Sequence, residues 1–310
     1  MIENKQVVCP VCYHNKTDYY IATNALMYVV NQERYVFNKC PKCDSVFLTN
    51  PVKQDCLNGY YTDSYLPYKG ADAWGKHQSF VLKHQVKLDK KRVHFVKKFA
   101  AINQPLSLLD VGCGNPSFLN LAQEKLKAFG TGIDFSDNGW KINTYDNLQL
   151  FKVAIADFEP KNKFDIITLW HYLEHDYNLH ETIDKLYNCL NPKGRLIIEV
   201  PDYDSITAKR QKQFWQGWHS PRHLTLLSKN GFSVLFDSKK WKIIKHYKYG
   251  TLDSFTLWWL GKMEQKKINW SISMEKEFWP LVILKAVSFP VFLFEKLLPM
   301  GIQLVVIEKK

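Results

Sequence analysis

Leu106-Ser-Leu-Leu-Asp110-Val-Gly112-Cys-Gly114-Asn-Pro-Ser117, followed by the helical run Phe118 to Lys127, decides how this chain folds. Leu106 to Val111 has the apolar density of a buried strand. It ends in a glycine turn, where the missing Cβ lets backbone approach a ligand closely. Gly-x-Gly alone does not identify that ligand. A nicotinamide dinucleotide site has it too, with an acid about 20 residues on, where Asp134 stands. Asp110 separates the two cases. A carboxylate two residues before the first glycine repels a pyrophosphate but attracts the α-ammonium of S-adenosylmethionine. Ser117 also occupies the place of the third glycine of the dinucleotide fingerprint. Methyl transfer is expected over hydride transfer.

Outward from this loop, strands and helices alternate, and further motifs follow in order. Leu109-Asp110-Val-Gly112-Cys113-Gly114-Asn resembles the first motif of the class I S-adenosylmethionine-dependent methyltransferases. Gly130-Thr-Gly-Ile-Asp134-Phe135 resembles their second strand, whose acid binds both ribose hydroxyls, and Asp157-Phe158 resembles the pair near the adenine. Phe164-Asp-Ile-Ile-Thr-Leu-Trp170-His171-Tyr-Leu-Glu174-His175 resembles the fourth strand and its loop. Leu190-Asn-Pro-Lys-Gly194 resembles the turn into the fifth. The similarity covers about residues 76–250, with Pro116 departing from a third loop glycine found in many members.

The resemblance implies an α/β fold: a Rossmann-like, seven-stranded, mostly parallel sheet with helices on both faces. Trp241–Tyr247 reads as the sixth strand and Ile302–Glu308 as an antiparallel last one. It also implies cofactor contacts at Asp110, Gly112, Cys113, Gly114, Asp134, Phe135, Asp157, Phe158 and Trp170. The chemistry of these side chains agrees. A carboxylate such as Asp134 accepts two hydroxyl hydrogen bonds, Asp157 can accept from an adenine amino group, and Phe135 and Phe158 could cover its faces.

Methyl transfer needs an aligned nucleophile, and a hydroxyl acceptor also needs a base. His171, Glu174 and His175 follow the fourth strand, where open α/β sheets bind ligands, and are expected beside the substrate. Trp215-Gln-Gly-Trp218-His219-Ser-Pro-Arg222-His223-Leu resembles a Pro-x-His-Leu segment beside the active site in a subgroup related to the quinone-biosynthesis O-methyltransferases. His223, then His219, then His175 are the candidate bases, and each could instead simply bond a carbonyl. Arg222 could pair with a substrate carboxylate or phosphate. Glu174 with His175 could instead hold a divalent metal, as in some quinone O-methyltransferases that this chain resembles.

Upstream, Cys9-Pro-Val-Cys12 and Cys40-Pro-Lys-Cys43 are two close thiolate pairs, which together complete the tetrahedral four-sulfur shell of structural zinc. Doubled pairs argue against a redox motif, and the remaining Cys56, Cys113 and Cys189 make no disulfide framework. A zinc ribbon is expected over residues 1–55, with Tyr28–Asn31 and Arg34–Phe37 as strands around a turn. A linker follows over 56–75, and the methyltransferase domain fills 76–310. That domain opens with a helix over Lys76–Ala101 whose apolar positions include Val86, Val93, Val96 and Phe99.

Residues 250–300 form a long apolar insertion between the last two strands, holding Leu257-Trp-Trp259-Leu and Phe278-Trp279 through Phe294. Lys285, Pro290 and Glu295 interrupt it, so it does not read as a span, but it could lie along a membrane surface. A packed lid or a dimer interface explains it equally well. From Lys239 to Lys310, 13 lysines face six acids, which suits anionic lipid. The whole chain carries 42 basic and 30 acidic residues, and its 46% apolar content excludes wholesale disorder. Met1-Ile-Glu-Asn-Lys5 lacks the features of a secretion signal, so a cytoplasmic protein, peripheral on the inner membrane at most, is expected.

Together these features point to methyl transfer from S-adenosylmethionine to a small-molecule, lipid-linked or glycan-linked acceptor. An RNA methyltransferase gripping phosphates with the ribbon and basic helix is the rival. A non-catalytic zinc-ribbon adaptor is a third possibility, against which the intact Asp110, Asp134 and Asp157 argue.

Overall fold

A computed structural model describes residues 7–25, 27, 33–61, 70–100, 105–140, 145, 147–269 and 273–310. The central sheet has seven strands: β4 (Ser107–Val111), β5 (Phe129–Asp134), β6 (Gln149–Lys152), β7 (Phe164–Trp170), β8 (Leu190–Pro201), β10 (Trp241–Tyr247) and β11 (Ile302–Lys309). Their order is β10-β11-β8-β7-β4-β5-β6. Five strands from β8 to β6 run parallel, and β11 lies antiparallel to both β8 and β10. The order changes direction at β4, so the loop after β4 opens at a topological switch point, where such sheets bind ligands.

The central strands read as near-continuous apolar runs because both their faces are covered. Leu108, Ile166, Ile197, Leu304 and Val306 face one core with α1 (Gln78–Phe99) and α2 (Ser117–Leu126), through Val96, Phe99, Phe118 and Leu119. Their neighbours Leu109, Ile167, Ile198, Val305 and Ile307 face the other, with α3 (Leu179–Cys189) and its Ile183 and Leu186. Each alternation of the strand thus lands on one of two buried layers. Val86, read as a core position of the first helix, is instead exposed.

The N-terminal layer is a second sheet, β1 (Asp18–Asn24), β2 (Arg34–Lys39), β3 (Val46–Leu48) and β9 (Thr225–Leu226). The strand paired with β2 is Asp18–Asn24; the expected Tyr28–Asn31 lies outside the described residues. Notably β9 comes from the segment between β8 and β10, and Cys9, Val11, Cys40 and Phe47 share the core of the main sheet. Two 3₁₀ segments, Gln54–Tyr60 and Gly70–His77, overlap the two ends of the expected linker. Between β8 and β10 lie α4 (Ile206–Gln211) and α5 (Lys229–Leu235); between β10 and β11 lie α6 (Ser254–Gln265) and α7 (Phe278–Phe292). Among the described residues, no helix is long and apolar enough to cross a membrane.

Candidate active site

The loop after β4 is built for close approach. Gly112 and Gly114 have φ of 70° and 49°, left-handed values that favour glycine. A Cβ on Gly112 would lie 2.5 Å from the Tyr172 ring, whereas one on Gly114 would meet nothing within 4 Å, because that side of the loop faces open space. Asp134 ends β5 and accepts the Gly114 N–H (2.9 Å) and the Ser136 N–H (2.9 Å), one on each oxygen. Each carboxylate oxygen keeps a further acceptor site, so the group can still take a diol. Phe135 beside it is exposed, as is Asp157.

Other expected cofactor residues sit differently. Asp110 is buried behind the loop, where it accepts the Thr168 hydroxyl at 2.6 Å. Burial raises its carboxyl to about 7, although Thr168 and the Arg92 charge oppose this. Phe158, expected over the adenine, is a core side chain packed on Phe151 and Phe164. Trp170 packs against Phe118, with the Arg92 guanidinium 5.0 Å from its ring, and the Cys113 thiol is buried, which pushes its pKa up.

Beyond β7, His171 holds a φ of 56°, a conformation retained only where the surroundings over-determine it. Its N–H donates to the Glu199 carbonyl at 2.8 Å, and its ring bridges Glu174 (3.2 Å) and Glu199 (3.1 Å). Burial opposes the imidazolium, but the two carboxylates outweigh it and raise His171 to about 9. Glu199 also accepts from Thr251 and Leu252. Sequence reasoning missed Glu199, although one acid inside Leu196-Ile-Ile-Glu-Val is itself a signal.

The segment 215–223 brings the other histidines to the same place. Trp215 and Trp218 are buried edge to face at 5.3 Å, and Trp218 packs on Phe37 of β2. The Leu224 N–H donates to the Glu174 carbonyl (2.7 Å), and the chain then enters β9. The four-cysteine layer therefore anchors both ends of this segment.

His223 Nδ1 donates to the Gly217 carbonyl (2.7 Å) and His175 Nδ1 to the Arg222 carbonyl (3.1 Å). A carbonyl can only accept, so each neutral ring keeps its lone pair on Nε2. His223 Nε2 is 3.9 Å from Glu174 Oε1. Ligand-capable atoms of Glu174, His175 and His223 lie within 4.8 Å of one another, and Glu174 Oε2 is buried without a hydrogen-bond partner. Burial lowers His223 and His219 well below the ordinary histidine range, His175 less so. His219 is buried with its ring 5.0 Å from that of His223. Arg222, expected at a substrate acid, is fully buried and donates Nε and Nη2 to the Tyr60 carbonyl at 3.0 and 2.8 Å.

Tyr61, given no role from the sequence, joins the two halves of the site. Its ring meets Phe135 at 5.7 Å and its hydroxyl lies 3.3 Å from His175 Nδ1.

Residues 82–246 match the profile of a family described as a methyltransferase domain. The chain belongs to that family. Among characterised relatives of this methyltransferase domain, malonyl-[acyl-carrier protein] O-methyltransferase of Priestia megaterium is 30% identical over 103 residues, covering 32% of this chain and 38% of that protein. Ubiquinone biosynthesis O-methyltransferase of Glaesserella parasuis is 29% identical over 132 residues, covering 36% of this chain and 56% of that protein. The chain thus spans 38% and 56% of the lengths of these two relatives. The crystal structure of coclaurine N-methyltransferase with N-methylheliamine and SAH superposes with a TM-score of 0.48 at 15% identity, covering 72% of each chain.

The four thiols are also arranged for one ion. Cys9 and Cys43 Sγ are 3.6 Å apart, and Cys12 and Cys40 Sγ 3.5 Å. A tetrahedron with Zn–S bonds of about 2.3 Å has edges of about 3.8 Å, so this donor set fits zinc. Tyr13 and Asp44, each one residue past a Cys-x-x-Cys pair, share φ of 56° and 59°, so the two knuckles have matching turns.

Proposed function

We propose that the protein transfers a methyl group from S-adenosylmethionine to an oxygen of a small-molecule, lipid-linked or glycan-linked acceptor. The observation that carries this is the convergence of His223, His175 and Glu174 on one point, joined to the nucleotide loop by Tyr61 and Tyr172. The open side of Gly114 and the spare acceptor sites of Asp134 would hold the cofactor, with Phe135 and Asp157 toward its adenine. When bound, the cofactor supplies an electrophilic methyl on a sulfonium.

His223 is the preferred base. Its carbonyl-fixed Nδ1–H leaves Nε2 to take the acceptor proton, and burial keeps the ring neutral near pH 7. Glu174 stabilises the imidazolium that then forms, and His171 with Glu199 holds Glu174 in place. The cysteine layer, carrying one structural zinc, supports the histidine segment through β9.

A second use of the same atoms is favoured by the unpartnered Oε2 of Glu174: a divalent ion held by Glu174, His175 and His223. Turnover by the purified protein, with and without a chelator that leaves the four-cysteine zinc bound, separates the two. Base catalysis predicts activity retained in chelator and lost in His223→Ala. Activity lost in chelator and restored by added divalent ion would replace it with the metal.

A further inference from the structure

The apolar helix α7 is seated on one side only. Phe278 at its start is buried among Trp74, Phe255, Trp259 and Met274, and Leu281, Val282 and Leu284 are half-buried on the same cluster. The opposite side carries Trp279, Ile283 and Val287, four residues apart and therefore in one stripe, exposed by 61%, 62% and 73%. Past the helix Leu293, Phe294 and Leu297 continue the exposure, Leu297 at 79%. From Phe278 to Phe294 the sequence holds no acid at all. A continuous exposed apolar face of this kind marks an interaction site.

The neighbouring helix says what covers it. The first half of α1 exposes Phe80, Leu82 and Val86 among exposed Lys83, Lys87 and Lys90, while its one acid, Asp89, is buried on Ser117 and Gln85. Phe80 meets Phe278 at 5.3 Å, the Lys285 charge acts on His84, and Lys91 acts on Glu295. The start of α1 therefore lies against the start of α7, where the His77 ring also stacks on Phe278 at 3.7 Å. Their common surface is apolar with a border of lysines. A second copy of this chain brought onto it about a twofold axis would set the same lysines against one another, with Asp253 already paired to Lys285 and the nearby acids Glu277 and Glu295 confined to the two ends of α7.

We propose that α7 and the first half of α1 form a docking surface for an anionic lipid bilayer. Fifteen residues of helix reach only about 22 Å, short of a hydrocarbon core of about 30 Å, so α7 lies along the interface. Trp279 and the lysines suit the headgroup level. The cluster that seats Phe278 also takes in Tyr61, which touches His175, so docking brings the site to the bilayer. That favours the lipid-linked acceptor, a step that rests on the proposed methyl transfer; the docking itself does not.

The test is co-flotation of the full chain with vesicles of phosphatidylcholine containing phosphatidylglycerol, and with vesicles of phosphatidylcholine alone. Flotation with the anionic vesicles is expected, weakened by salt and reduced about tenfold or more in Ile283→Glu/Val287→Glu. S-adenosylmethionine binding by that variant, which touches neither the nucleotide loop nor the cysteines, controls for folding. A variant that keeps cofactor binding and floats as well as the parent would overturn the proposal. So would equal flotation with neutral vesicles, or no flotation with a self-association that the variant abolishes. Flotation consumes no cofactor, so its failure leaves methyl transfer standing, and failed methyl transfer leaves docking standing.

Discussion

The Tyr61 hydroxyl lies 3.3 Å from His175 Nδ1 while its ring meets Phe135 at 5.7 Å, so one side chain touches both the nucleotide end and the histidine end of the site. Arg222 holds that position from below: its guanidinium carries the Tyr60 carbonyl and sits 5.6 Å from the Tyr61 ring. Tyr61→Ala is expected to raise the acceptor KM and lower kcat together, by about tenfold or more, because orientation is lost at both ends. Tyr61→Phe should keep most of the activity. Steady-state kinetics of the two variants check this; an Ala variant like the parent would remove Tyr61 from the site.

Asp134→Ala removes an acceptor whose charge-assisted hydrogen bonds are worth about 1.5–3 kcal/mol each. S-adenosylmethionine binding should weaken by roughly a hundredfold or more, with no comparable effect on NAD. Calorimetric titration of both ligands measures it, and small, equal changes would count against the nucleotide assignment.

Much of this was legible in the sequence because both layers of the sheet need apolar side chains and the turns need glycine. Leu106–Val111, Gly112 and Gly114, and the paired cysteines each carry a local requirement that composition reveals. The packing of Phe158 was not legible, because an aromatic just past the short turn Ile155–Asp157 looks the same in sequence whether it faces a ligand or Phe164. The surroundings of Arg222 were not legible for a different reason. Its partner, the Tyr60 carbonyl, is 162 residues away and is a backbone atom with no sequence signature. β9 escaped notice because two residues, Thr225–Leu226, show no periodicity, and their pairing with β3 is set by tertiary contact alone.

Metal analysis should find one equivalent of zinc on the four cysteines. In Cys9→Ser the metal should be lost, and with it both thermal stability and turnover, since β3 holds β9 and β9 follows the histidine segment. A fully stable, metal-free protein would contradict the zinc assignment. A stable variant with full activity would detach the cysteine layer from the site.

Two histidines give opposite pH effects. Burial lowers His223, so its neutral, base-competent form persists at neutral pH, and kcat/KM should fall only on the acid side, below pH 6.5. His171 is raised to about 9 by Glu174 and Glu199, so the stability it contributes is present in full below pH 6.5 and is lost as pH rises through about 9. Glu199 is lowered: burial raises it, but His171 more than offsets that. Its contribution is present above pH 4.5 and is lost as pH falls below that. The melting temperature of the parent over His171→Gln should therefore exceed that of the variant most between about pH 4.5 and 6.5, and converge toward it above about 9. A constant offset across this range would dissolve the carboxylate–imidazolium arrangement.

The most direct measurement is transfer of labelled methyl from S-adenosylmethionine by the purified protein into an extract of its source organism, separated into lipid, glycan, RNA and protein. Methyl transfer to a lipid-linked or glycan-linked oxygen predicts label in the lipid or glycan fraction, absent with His223→Ala. Label in RNA, or no transfer to any fraction by a protein that binds the cofactor, would contradict it.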